Sequence, residues 1–190
     1  MARATIAKQA QACLARAERL RSLAPSAAWR AARRGLALLA VAPSPAREAL
    51  AGRLHRLSGH ALRSLGRHAE AETSYRQAAR NFMTAAEPIE AARCAIGRVD
   101  ALMYLGRHAA LRRVAAEALR RFATAGAAAP AARLRNNMAN LEYRLDRPEA
   151  ALRLYARARR VLARDPRARA RIDANRANCL VLRDDGQQAK

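Results

Sequence analysis

L-R-N-N-M-A-N-L-E-Y-R-L-D-R-P-E-A-A-L-R-L-Y-A-R-A-R-R-V-L-A, residues 134–163, decides the fold. Leu134, Met138, Leu141 and Leu145 follow at spacings of three and four, Asp146-Arg147-Pro148 interrupts, and Leu152, Tyr155, Ala158 and Leu162 resume the period. Such spacings put side chains on one face of an α-helix, so the stretch predicts two amphipathic helices folded back on one another. Pro148 suits the first turn of the second helix, where its missing N–H has no partner to lose, and Glu149 lies beside that helix's positive end.

The same unit recurs. Leu65-Gly66-Arg67, Leu105-Gly106-Arg107 and Leu145-Asp146-Arg147 place equivalent turns 40 residues apart (106 − 66 and 146 − 106), and Ala78, Ala118 and Ala158 keep that spacing in the second helices. Tyr75 matches Tyr155. Asn175-Arg176-Ala177-Asn178 matches Asn137-Met138-Ala139-Asn140 and announces a fourth unit, with Asp184 against Asp146. The expected boundaries are 1–45 for a degenerate amino-terminal hairpin, then 46–86, 87–126, 127–164 and an incomplete 165–190.

These residues resemble the tetratricopeptide repeat. Gly59, Gly66, Ala71, Tyr75 and Ala78 in one copy, and Asn137, Ala139, Ala151, Tyr155 and Ala158 in another, stand at that family's small and aromatic packing positions. The departures are a missing first-helix tryptophan, Asp for Gly at 146, and a period longer than ~34 residues. Longer repeats with N-N-M-A-N-like first helices look like those of kinesin light chain and of bacterial proteins carrying a CHAT domain. The resemblance implies an all-α fold, a right-handed superhelical stack of antiparallel helix hairpins, whose first helices line a concave, peptide-binding face.

Composition agrees with an all-α chain. Hydrophobic residues make up 52% but aromatics only 4%, no alternating strand-length run occurs, and much of the apolar content is alanine. Alanine favours helix yet buries little surface, so each hairpin must lean on its neighbours. The amino-terminal part reads as two helices, Ile6, Ala10, Cys13, Ala17 and Leu20 on the first, then Ser26 as a cap for one carrying Trp29, Leu36 and Leu39. Pro43-Ser44-Pro45 is a rigid break before the first clear repeat, and Ala127 to Pro130 reads as a later connection.

The charge balance is 37 − 15 = +22, nearly all of it arginine. Such a value favours acidic partners or nucleic acid, and it also fits a GC-rich coding bias that decorates solvated helix faces. Cys13, Cys94 and Cys179 are dispersed and lack a C-x-x-C pair, and His55, His60, His68 and His108 have no ligand spacing, so packing roles are expected and no metal or cofactor. No catalytic constellation is present, and the chain reads as non-enzymatic. The longest apolar run, Leu36 to Ala42, is far short of the ~20 residues of a span. Arg33-Arg34-Gly35 before it imitates a twin-arginine signal but lies too deep in the chain, so a cytoplasmic protein is expected.

Two surfaces stand out. Arg56, His60 and Arg63 share a first-helix stripe, as do Arg133, Asn136, Asn140 and Tyr143, with Asn175 and Asn178 extending the series. Asparagine both donates and accepts, so such a row can hold an extended and, given the charge, acidic peptide; it can equally join neighbouring helices. Arg153, Arg157, Arg160 and Arg164 form one ridge, continued by Arg167, Arg169 and Arg171, that suits nucleic acid as an alternative partner. Glu72 and Arg76 are spaced for a pair across one helical turn. Finally, a helix from Pro166 to about Arg183 followed by a turn at Asp184-Asp185-Gly186 predicts that the missing second helix lies beyond Lys190. The other reading is that the open flank of Ile172, Leu180 and Leu182 pairs with a second copy.

Overall fold

The computed structural model describes residues 2–40 and 45–188, with side chains from 5–40 and 46–181. Pro43-Ser44, and with them most of the expected rigid break, lie outside the described residues. Among the described residues there are nine helices and no strand: α1 (Ala2–Leu20), α2 (Pro25–Leu39), α3 (Pro45–Ser64), α4 (His68–Thr84), α5 (Pro88–Tyr104), α6 (His108–Thr124), α7 (Ala128–Arg144), α8 (Pro148–Val161) and α9 (Pro166–Gln188). They form two compact units, Met1–Arg112 and Arg113–Lys190. No helix among the described residues is long and apolar enough to cross a membrane.

One turn geometry accounts for the regularity. Gly66, Ala86, Gly106, Gly126 and Asp146, each 20 residues after the last, all have positive φ, from 56 to 74°. After each, the next N–H returns to a carbonyl five residues back: Arg67 to Leu62 at 2.9 Å, Glu87 to Phe82 at 2.8 Å, Arg107 to Leu102 at 3.0 Å, Ala127 to Phe122 at 2.8 Å and Arg147 to Glu142 at 2.9 Å. This left-handed C-terminal cap satisfies carbonyls that the helix end leaves unpaired. Helices α4, α5, α6 and α7 are therefore all 17 residues long. The 40-residue repeat is two 20-residue periods, and turns within and between hairpins are alike.

Several expectations need correction. Ser26 does not cap α2; Pro25 opens the helix and Ala24 takes the cap position without a side-chain bond. The connection before α7 ends at Ala127, so Pro130 sits inside the first turn, where a missing N–H costs no helix bond. At the far end α9 runs unbroken from Pro166 to Gln188, so Asp184-Asp185-Gly186 is helix and not a turn. Aspartate costs a helix interior well under 1 kcal/mol relative to alanine, and the match to Asp146 required a 38-residue offset that the regular turns do not share. Ile172 is fully buried in the core of the second unit, because α9 packs on both α8 and α7; Leu182 lies outside the described side chains.

In the first unit, Leu14, Leu54, Leu57 and several alanines join α1, α2 and α3. Tyr75 of α4 lies in a slot that only glycine permits: a Cβ at Gly59 would stand 2.8 Å from its ring, and one at Gly97 2.3 Å. That slot fixes α4 against both α3 and α5. In the second unit Tyr155 plays the corresponding part, packed with Ala139, Ala151, Ala158, Ile172 and Cys179. With alanine covering most of the helix contacts, these two tyrosines and Phe82 and Phe122 are the largest fully buried side chains.

Candidate functional site

In the first unit α1 touches α3 and α3 touches α5, so the first helices lie side by side. Along α3, Arg53, Arg56, His60 and Arg63 follow at spacings of three and four and share one stripe. Two of them are spoken for by α5: Arg56 pairs with Glu90 at 2.5 Å and lies over the Phe82 ring, and Arg63 donates to Asp100 at 2.7 Å. His60 is largely buried, its Nδ1 2.8 Å from the Tyr75 hydroxyl. Burial, and after it the positive charges of Arg21, Arg63 and Arg56, pushes the His60 pKa down to about 3. The imidazole is thus neutral, and in the tautomer whose Nδ1 carries no proton it accepts from the Tyr75 hydroxyl, whose pKa burial raises.

A recess of about 270 Å³ remains open between the end of α1 and α3, walled by Glu18, Arg21, Arg53, Arg56, Leu57 and His60. Arg21 and Arg53 are exposed and pair with no carboxylate among the described residues. Three guanidinium groups converging over one glutamate and a neutral imidazole favour an anionic group, which arginine grips through paired N–H donors. Sequence reading missed Arg21 and Arg53. The position of Arg53, three residues before Arg56 on the same stripe, was the available signal; Arg21 joins only through the packing of α1 on α3.

The residues expected on the second unit's first helices are mostly engaged. Asn140 Oδ1 accepts from the Tyr155 hydroxyl at 2.7 Å and from Asn175 Nδ2 at 3.2 Å, joining α7, α8 and α9. Arg133 reaches Asp165 at 3.2 Å. Tyr143 packs against the core cluster, and Asn178 is exposed. Asn136 is corrected outright: at 2% exposure it is not a surface station. It follows Ala132 by four residues and precedes Ala139 by three, which puts it on the packed stripe of α7, its Oδ1 without a partner. Of the asparagine row, Asn140 and Asn175 connect helices.

The ridge behaves differently. Ala151, Tyr155 and Ala158 mark the buried side of α8, and Arg153, Arg157 and Arg160 fall on the opposite side; α8 ends at Val161, so Arg164, expected on the same ridge, lies in the turn that follows. All four are exposed and have no acidic partner among the described residues, whereas Arg159, off the ridge, pairs with Asp173 at 2.6 Å. Arg167, Arg169 and Arg171 are also exposed. Elsewhere, Glu72 does not merely decorate a helix; buried at 5% exposure, it takes Arg98 of α5 at 2.8 Å and Arg76 only at 4.0 Å. His68 stacks on Tyr104 with ring centroids 4.3 Å apart, and Cys94 and Cys179 are buried, their thiols donating to the carbonyls of Glu90 and Pro148 at 3.4 Å.

No protein-family model matches the chain, and no curated protein matches it.

Proposed function

We propose that the protein is a non-enzymatic, tetratricopeptide-like repeat scaffold that binds an acidic peptide segment on the face formed by α1, α3 and α5. The recess walled by Arg21, Arg53 and Arg56 carries this reading, because Arg21 and Arg53 have no carboxylate partner among the described residues, whereas Arg56 and Arg63 of the same stripe are paired with Glu90 and Asp100. The family assignment is supported by four successive helices of 17 residues, α4 to α7, and by Ala71, Ala78, Ala151 and Ala158 at zero exposure where helices meet. A fluorescent glutamate-rich peptide titrated by anisotropy tests it. The double variant Arg21→Glu, Arg53→Glu should bind at least about tenfold more weakly, a change of about 1.4 kcal/mol, with unchanged helical circular dichroism. Equal affinity in the two proteins would remove the recess from consideration.

A second reading, nucleic-acid binding, is favoured by the exposed and unpaired arginines of the α8 ridge. Single-stranded DNA binding should then fall steeply with salt, as released counterions drive it, and be lost in Arg157→Glu, Arg160→Glu. No detectable binding at low salt eliminates this reading.

A further inference from the structure

Helices α1 and α2 carry a second recess, of about 440 Å³, on a side distinct from their contact with α3. Its floor is small and apolar, with Ala12 and Cys13 from α1 and Ala27, Ala31 and Leu38 from α2. Its rim holds Arg16, Arg30 and Arg34, all exposed and none paired with a carboxylate among the described residues. On each helix the lining positions recur at spacings of three and four, so the recess is a groove along the hairpin. The core side of this hairpin already seats a helix, since α3 packs across both α1 and α2. An alanine floor lets another helix backbone approach closely.

We propose that this groove docks an acidic amphipathic helix of a partner protein, small and leucine side chains against the alanine floor and glutamates against Arg16, Arg30 and Arg34. Charge complementarity selects this occupant. A two-fold pairing with a second copy would set the same arginines against each other, and a membrane would need large apolar or aromatic side chains that the groove lacks beyond Leu38. The site is separate from the Arg21 recess and does not depend on it.

Cys13 reports occupancy directly, being partly exposed in the groove while Cys94 and Cys179 are buried. The probe is a synthetic helical peptide of about 20 residues, long enough to hold helix, with alanine and leucine on one face and glutamate on both flanks. In the full chain, saturating peptide should slow iodoacetamide labelling of Cys13 at least about tenfold. Arg30→Glu, Arg34→Glu should abolish that protection, and Arg21→Glu, Arg53→Glu should leave it intact. Labelling that ignores the peptide overturns the proposal, as does protection that survives reversal of the rim charges. Protection that rises with protein concentration alone assigns the groove to a second copy, and protection by anionic vesicles but not by peptide assigns it to lipid; either result overturns it too.

Discussion

Tyr75 reaches back fifteen residues to His60, its hydroxyl 2.8 Å from Nδ1, and this bond repeats along the chain. Tyr155 makes it to Asn140, also fifteen residues back, at 2.7 Å. In the intervening repeat the corresponding positions hold Ala115 and Asp100, offset by 40 from Tyr75 and His60. With no tyrosine to serve, Asp100 takes Arg63 of the preceding repeat instead. Two positions expected to face a ligand, His60 and Asn140, are thus the acceptors of an internal clasp between the helices of one hairpin.

The two clasps should differ in their sensitivity. Replacing Tyr75 with Phe leaves the enclosed His60 acceptor without that donor, at a cost of about 1–3 kcal/mol, whereas in Tyr155→Phe the Asn140 oxygen keeps its bond from Asn175 and the loss should stay near 1 kcal/mol. Urea denaturation followed by circular dichroism measures both. Equal losses would mean that the hydroxyl bonds do not account for the difference.

The histidine version of the clasp brings a pH dependence that the asparagine version lacks. In the folded chain His60 titrates at about 3, against about 6.5 in the unfolded chain. Below the latter value the unfolded chain binds a proton that the folded chain refuses. Stability is therefore full above about pH 6.5 and falls toward pH 3, by about 1.4 kcal/mol per unit for one proton. His60→Asn keeps an acceptor for Tyr75 and should remove that slope between pH 6 and 4. His55, also lowered by burial, contributes equally to both proteins and cancels in the difference. Parallel stability curves for wild type and variant would contradict this account.

The fold was legible because glycine or aspartate marks the turn at 66, 106 and 146, and because apolar spacing is a property of single helices. The 20-residue half-period stayed hidden since Gly126 alone marks it, its turn at Ala86 carrying no turn residue. The α9 ending misled for the opposite reason: Asp-Asp-Gly reads as a turn, yet nothing local forbids helix there. The candidate site was half legible. A stripe of polar residues shows in sequence, but whether it faces solvent or a neighbour depends on which carboxylate the next helix brings. Glu90 and Asp100, 34 and 37 residues away from Arg56 and Arg63, make that choice. Arg21 enters its recess only through α1 packing on α3, which no periodicity reveals.

Glycine in the Tyr75 slot is a requirement of space, not of backbone. Gly97→Ala should destabilise the first unit by about 1–3 kcal/mol, since its Cβ would stand 2.3 Å from Tyr75 Cζ. The paired variant Gly97→Ala, Tyr75→Leu, which shortens the ring's reach, should cost less than the two single changes added together. Strict additivity in denaturation would show that the slot is not where the strain lies.

Ala86 is where the regular turn carries its least suitable residue. Its φ of 58° places a Cβ in the left-handed region, while Gly66 and Gly106 hold equivalent positions at 74 and 66° with no Cβ to crowd the backbone. The cap forms all the same, through Ala86 N–H to Met83 at 3.1 Å and Glu87 N–H to Phe82 at 2.8 Å. The strain is therefore carried by α4 and α5, which the turn joins. A left-handed conformation costs a residue with a Cβ roughly 1–2 kcal/mol, and glycine offsets part of that gain through its larger unfolded-state entropy. Ala86→Gly should thus stabilise the chain by up to about 1 kcal/mol, raising the melting temperature by roughly 2–4 °C for a chain of this size. The reverse change, Gly66→Ala, should lower it by a similar amount although nothing lies within 4 Å of the added Cβ, so that backbone strain alone is read. Differential scanning calorimetry of both variants decides it: a melting temperature lowered by Ala86→Gly would mean that unfolded-state entropy, and not the turn's handedness, governs this position.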